Sequence, residues 1–289
     1  MKLGFNESTA KGCSTLAKDL ELCNDVGFDY IEIRLDMLRD YLQTHQPQEL
    51  RHFFADHRIR PHAFNALYTY KELFSKNDVK ARRDTLMDEF MLGCKTAELI
   101  GSHAFIIVPP MSADPSVPYV DSQENIKEDC VRIFKNLAQI AADHGVNLCF
   151  ELVGTPKCSV RTIPFAIDIV ETIDEKNVGY AFDPCNIFGY KKTNDYSGMA
   201  AADVDKVFAV HINDYDDVPE DQLIPANRCF CGEGVLDLMN YLTVLKRMGY
   251  QGMVSIETFR PSHYAMKPED VIALAYSTTR DTLIKADCL

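Results

Sequence analysis

The sequence predicts a single-domain (β/α)8 barrel over residues 1–289, an expectation resting on three observations. Amphipathic segments ending in glycine are followed within a few residues by short apolar runs. Eight such runs recur at intervals of about thirty to forty residues, as a parallel barrel requires. No linker or low-complexity stretch divides the chain.

Lys2–Asn6 is the first strand. A helix over Thr15–Val26 stops at Gly27 before strand two, Tyr30–Arg34. The helix Gln48–His57 leads into strand three, Arg60–Asn65. Lys80–Ile100 stops at Gly101 before strand four, Ala104–Val108, and Gln123–His144 stops at Gly145 before strand five, which begins Val146–Phe150 and ends on Glu151. Ile163–Ile173 precedes strand six, Val178–Asp183, and a short helix near Ala200 precedes strand seven, Lys206–His211. Asp237–Met248 stops at Gly249 before strand eight, Met253–Ile256, followed by Glu257. Glycine just past a helix supplies its left-handed cap, and a short loop then starts the next strand. The strands are short apolar runs without strict alternation, as expected where both faces are covered. A doubly wound open sheet is the alternative, but no G-x-G-x-x-G follows the first strand, where Asn6-Glu7-Ser8 stands.

Composition narrows the function. With 46% hydrophobic residues, 289 residues can bury a large core. A formal charge of −13 without a lysine and arginine cluster argues against nucleic acid. No run approaches the roughly eighteen apolar residues of a membrane span, and the opening residues are no signal peptide, so a cytoplasmic protein off the membrane is expected. The ten cysteines are scattered, with Cys229-x-Cys231 the only close pair, and read as reduced thiols.

The last four strands end on side chains that bind metals: Glu151, Asp183, His211 and Glu257. Barrel active sites form at the carboxyl ends of strands, so these four are expected to converge at one mouth. Ionisable groups at the ends of apolar strands need partners. One divalent ion is expected, and three carboxylates with one imidazole suit Mn²⁺, Co²⁺, Zn²⁺ or Mg²⁺.

The whole chain resembles the xylose-isomerase-like barrel superfamily, most closely its inosose isomerase (2-keto-myo-inositol isomerase) family of myo-inositol catabolism. The likeness runs through MKLGFNEST, DLELCNDVGFDYIEIR, FNAL, FELVGTPKCSV, NVGYAFD, VHIND and VSIETFRP. It implies the same four ligands and a polyol or keto-sugar substrate isomerised through an enediolate. It also implies that Glu151 and Glu257 are the acid/base pair and that the protein forms a homodimer or tetramer. Asn65 and Arg228 match substrate-side positions of the family. Glu32 is read as a further substrate contact, with an internal ion pair to Arg34 as the alternative. Asp214, three residues after His211, is expected to orient a ligand. Arg260 and Tyr264 are weaker pocket candidates, and His62, which does not match the family, reads as structural. Where the family places a substrate-contacting histidine, this chain has Asn186, which can hydrogen-bond but cannot carry a proton near neutral pH. A ketose 3-epimerase is the alternative function, and a non-catalytic sugar-binding barrel a more distant one. An apurinic endonuclease on this barrel would need further histidines, including one at Asn186, and a basic surface.

Overall fold

The computed structural model describes residues 1–114, 116–219 and 222–289. Eight parallel strands close on themselves: β1 (Lys2–Asn6), β2 (Tyr30–Arg34), β3 (Arg60–Tyr68), β4 (Ala104–Val108), β5 (Asn147–Glu151), β6 (Val178–Phe182), β7 (Val207–Ile212) and β8 (Met253–Ile256). Closure rests on β1, which pairs with β2 on one side and β8 on the other, setting Lys2 opposite Met253 and Phe5 opposite Ile256. That pairing excludes the open sheet.

The helices are α1 (Leu16–Val26), α2 (Leu35–Tyr41), α3 (Pro47–Asp56), α4 (Lys80–Ile100), α5 (Gln123–Asp143), α6 (Ile163–Ile173), α7 (Pro184–Phe188), α8 (Leu238–Met248), α9 (Pro261–Tyr264) and α10 (Pro268–Lys285). Thr15, Ser122 and Asp237 cap α1, α5 and α8, each side chain accepting a backbone N–H of the first turn. Gly101 and Gly249 end α4 and α8 at φ of 79° and 87°, where a Cβ would be strained. The helix expected near Ala200 is a 3-10 turn, Ser197–Ala201.

Strand β3 runs three residues beyond Asn65, because an apolar-run criterion stops at a polar side chain while the backbone ladder continues. The sequence reading did not place α2, α7, α9, α10 or an antiparallel ribbon pairing Asp214–Tyr215 with Arg228–Cys229. No strand follows α10, so the glycine-then-strand signal is absent there. It packs on α1 and β1, with Tyr276 edge-on to Phe28 at 5.2 Å. All ten cysteines are free thiols.

Alternation exists along the strands, but small residues conceal it. Phe5, Ile31, Ile33, Phe64, Phe105, Ile107, Leu148, Phe150, Val210, Ile212, Val254 and Ile256 belong to the large core between barrel and helices. Ala63, Ala104, Ile106, Cys149, Ala181 and Ala209 form a separate cluster inside the barrel. The interior is tight: a Cβ on Gly4 would lie 2.5 Å from Met253 Sδ and 3.1 Å from Ser255 Cβ. Small inward residues leave room for the side chains of Glu32 and His211, both fully buried.

Beside the end of β1, Glu7 and Asp19 are fully buried. Glu7 Oε2 accepts the Arg34 N–H at 2.7 Å, but its Oε1 and both Asp19 oxygens lack a hydrogen-bond partner among the described residues. Burial pushes the Asp19 carboxyl up to about 7, and burial together with Asp19 raises Glu7. Asp19's folded-state value thus lies above its unfolded value of about 3.9. Its contribution to stability is complete below about pH 4 and is lost as pH rises through about 7. Asp19→Asn is therefore expected to gain on the wild type as pH rises from about 4 to 7, by up to about 1.4 kcal/mol per pH unit, and to keep a constant advantage above 7. Thermal or urea unfolding across that range checks this; parallel curves would contradict it.

Candidate metal centre

Glu151 is the last residue of β5, and Asp183 follows β6 as the N-cap of α7, its Oδ1 accepting the Asn186 N–H at 3.0 Å. His211 is the fifth residue of β7, and Glu257 follows β8 directly. All four are buried, and one ligand atom from each lies within 4.8 Å of the others. Around a single ion with bonds of about 2.0–2.2 Å, ligand atoms lie at most about 4.4 Å apart, so small side-chain movements suffice.

The acids converge on one nitrogen. His211 Nδ1 lies 3.0 Å from Glu151, 3.6 Å from Glu257 and 3.7 Å from Asp183, while its Nε2 lies 3.1 Å from Glu32. Burial alone would lower the imidazole, but the carboxylates of Glu32, Glu257 and Glu151 outweigh it and hold His211 well above the usual histidine range. Burial likewise opposes ionisation of Asp183, yet Arg228, His211 and the Asn186 N–H bring it down to about 2. Glu151 is raised by burial, with Glu257 and Asp183 repelling it, despite the pull of His211.

Four carboxylates thus face one imidazole and one guanidinium, leaving two negative charges over even with His211 protonated. A divalent cation is what this donor set lacks, and the mix of oxygen and nitrogen donors fits one.

Arg228 comes from the ribbon and is buried. Its Nη1 lies 2.9 Å from Asp183 and 2.5 Å from Glu257, and its Nη2 donates to Asn186 Oδ1 at 3.1 Å. Asn186 spends its other end on Glu151, Nδ2 to Oε1 at 3.2 Å. Asn65 Nδ2 donates to Glu257 Oε1 at 2.9 Å. All three line a cavity of about 160 Å³ that also touches Glu151 and Glu257. A larger cavity, about 1210 Å³, opens at the opposite end of the barrel around Lys2, Arg60 and Asn147, far from the ligating cluster, so the chemistry belongs to the smaller one.

Two expectations need correcting. Glu32 does not reach the cavity: it lies mid-strand beneath His211, its carboxylate held by His211, by Asn6 Nδ2 at 2.8 Å and by His62 at 3.2 Å. Side chains on a strand alternate, and two residues separate Glu32 from the mouth. Nor does it pair with Arg34, which turns to Asp36 at 2.7 Å. Asp214 orients no ligand either; it accepts the N–H groups of Tyr215, Gly232 and Leu236 and so shapes the ribbon that carries Arg228. The residue before it, Asn213, reaches Asp183 Oδ2 at 3.0 Å and the Glu257 carbonyl at 3.1 Å. Asn213 was legible in principle, two residues after His211 on the same side of the chain. Arg260 braces the ribbon through Asp216 at 2.9 Å, and Tyr264 donates to the Ser8 carbonyl; neither lines the cavity. Lys157, in the loop after β5, and Tyr68, the last residue of β3, do, neither with a sequence signal.

The chain resembles known proteins over nearly its whole length. The family model for the xylose isomerase-like TIM barrel matches residues 20–281. The chain is 36% identical over 286 residues to an inosose isomerase of Halalkalibacterium halodurans, covering 99% of this chain and 97% of that one. It is also 36% identical to an inosose isomerase of Bacillus subtilis, with 99% of both covered. A crystal structure of the IolI protein with a bound zinc atom superposes with a TM-score of 0.89 at 35% identity, covering 99% of each chain.

Metal removal tests the centre directly. The protein is expected to bind about one equivalent of divalent ion, more tightly as pH rises, since metal must displace protons from its ligands. At a hundredfold excess over Kd the ion adds about 2.7 kcal/mol of stability, so chelation lowers Tm by several degrees. Asp183→Ala and His211→Ala are expected to abolish both binding and the chelator effect, read by elemental analysis and thermal melts.

Proposed function

The chain belongs to the xylose isomerase-like TIM barrel family, and on that footing we propose that it catalyses the metal-dependent isomerisation of an inosose. The ketone moves between neighbouring carbons of a polyhydroxylated ring. The observation that carries this reading is the pair Glu151 and Glu257, which border one small cavity and are each held by a separate amide, Asn186 and Asn65. A binding protein has no need of two buried carboxylates aimed at its ligand.

Size agrees with the substrate. At roughly 30 Å³ per water, 160 Å³ holds about five waters, the scale of a single small ring rather than of an extended ligand.

When bound between Glu151, Asp183, His211 and Glu257, a divalent ion supplies the Lewis acid that polarises the ketone. One glutamate takes the proton from the carbon beside the ketone; the electron pair of that C–H bond passes into the new C=C bond of an enediolate. A proton is then returned to the former carbonyl carbon, and the neighbouring hydroxyl loses its own proton as the new ketone forms. Arg228 offsets the negative charge around Asp183 and Glu257 and presents N–H groups toward the cavity wall. Asn186 and Asn65 fix the carboxylates, and the buried surround keeps bulk water from the exposed carbanion.

Wild-type enzyme incubated with an inosose in D₂O is expected to exchange the α-proton and form the isomeric ketone. Glu151→Gln and Glu257→Gln are each expected to lose about 10²- to 10⁴-fold in exchange. Full exchange in both variants would refute the acid/base roles. Faster turnover of a ketohexose, with inversion at carbon three, would replace the isomerase reading with the epimerase one.

A further inference from the structure

We propose that His62 is a positioning residue of the metal centre, fixing the ring of His211 through Glu32 from the opposite end of the barrel. This rests on the reading of Glu151, Asp183, His211 and Glu257 as metal ligands.

A metal-bound imidazole presents one nitrogen to the ion and gives its other N–H to a partner that sets ring orientation. Here that partner is Glu32, whose Oε2 lies 3.1 Å from His211 Nε2. The two oxygens of Glu32 have different neighbours. Asn6 Nδ2 shares Oε2 at 2.8 Å, whereas Oε1 meets only His62 Nδ1, at 3.2 Å, among the described residues. Glu32 is fully buried in a barrel of small residues, and no other described residue hydrogen-bonds Oε1. Without His62 that oxygen is left unsatisfied, and the carboxylate is free to turn about its last torsion. Such a turn carries Oε2, and with it the His211 ring, off the metal position.

His62 is built to hold still. Tyr30 packs edge-on to its ring at 5.8 Å and 77°, and Ser102 Oγ donates to its carbonyl at 2.7 Å. Its side chain is 17% exposed and lines the 1210 Å³ cavity around the strand starts. The line His62–Glu32–His211 therefore runs from the metal ligand down the barrel axis to solvent at the far end. The mouth of the active site plays no part in it.

The test measures Co²⁺ and Zn²⁺ affinity by chelator competition, together with the visible spectrum of the Co²⁺ protein. His62→Leu is expected to weaken metal binding about tenfold, the lower end of what outer partners of metal-bound histidines contribute, and to shift the Co²⁺ spectrum. His62→Asn, whose amide nitrogen can stand where Nδ1 stands, is expected to recover most of both. In a Glu32→Gln background, His62→Leu is expected to add no more than twofold, because its effect passes through that carboxylate. Lys95→Ala, in the wall of the same cavity, is expected to leave affinity and spectrum unchanged. Wild-type affinity and spectrum in a folded His62→Leu protein, or an equal loss in Lys95→Ala, would overturn the proposal while leaving the metal centre standing. Should His62→Leu fail to fold, His62→Ala replaces it in the same cycle, and equal losses in the wild-type and Glu32→Gln backgrounds overturn the proposal. A wild-type protein that binds no ion overturns both readings.

Discussion

Four carboxylates held inside a barrel, around one imidazole and one guanidinium, constrain most of what surrounds them. Taking a charged carboxylate out of water costs several kcal/mol, repaid only by close and well-directed partners. Each acid here has them. Asp183 has Arg228, Asn213 and the Asn186 N–H; Glu257 has Arg228 and Asn65; Glu151 has His211 and Asn186; Glu32 has His211, His62 and Asn6. Negative charge still exceeds positive, and that surplus is what makes the cluster a place for a cation.

The fold is arranged around this requirement. Alanine, glycine, cysteine and serine face inward along the strands, leaving width for Glu32 and His211. The large apolar residues face outward, where the helices bury them. Tyr241 on α8 donates to the carbonyls of Phe182 and His211, tying together the two strand ends that carry Asp183 and His211. Beyond β7, Asp214 spends its whole carboxylate on backbone N–H groups, and the ribbon so shaped brings Arg228 over the acids. The outer layer thereby acts on the site through backbone position as well as through burial.

Asn186 is bound into the site by both ends of its amide. It stands where the family resemblance implies a histidine, donating to Glu151 and accepting from Arg228. Its work is orientation, and an amide carries no proton near neutral pH, so the proposed mechanism assigns proton transfer to the two glutamates.

Much of this was legible along the chain. Glycine stops followed by apolar runs located four of the strands and apolar runs in the same rhythm the other four, and Glu151, Asp183, His211 and Glu257 stood out because each closes or nearly closes a strand. Those are local signals, carried by backbone propensity and position. What the sequence could not decide is who meets whom. Glu32 and His211 are 179 residues apart, and Asn65 and Glu257 are 192 apart. Their contacts exist only because β1 pairs with β8 and closes the ring. For the same reason Glu32 read as a substrate contact and Asp214 as a ligand's support. Depth along the barrel axis and the turn of a loop are set by strand stagger and closure, and no spacing in the sequence records them.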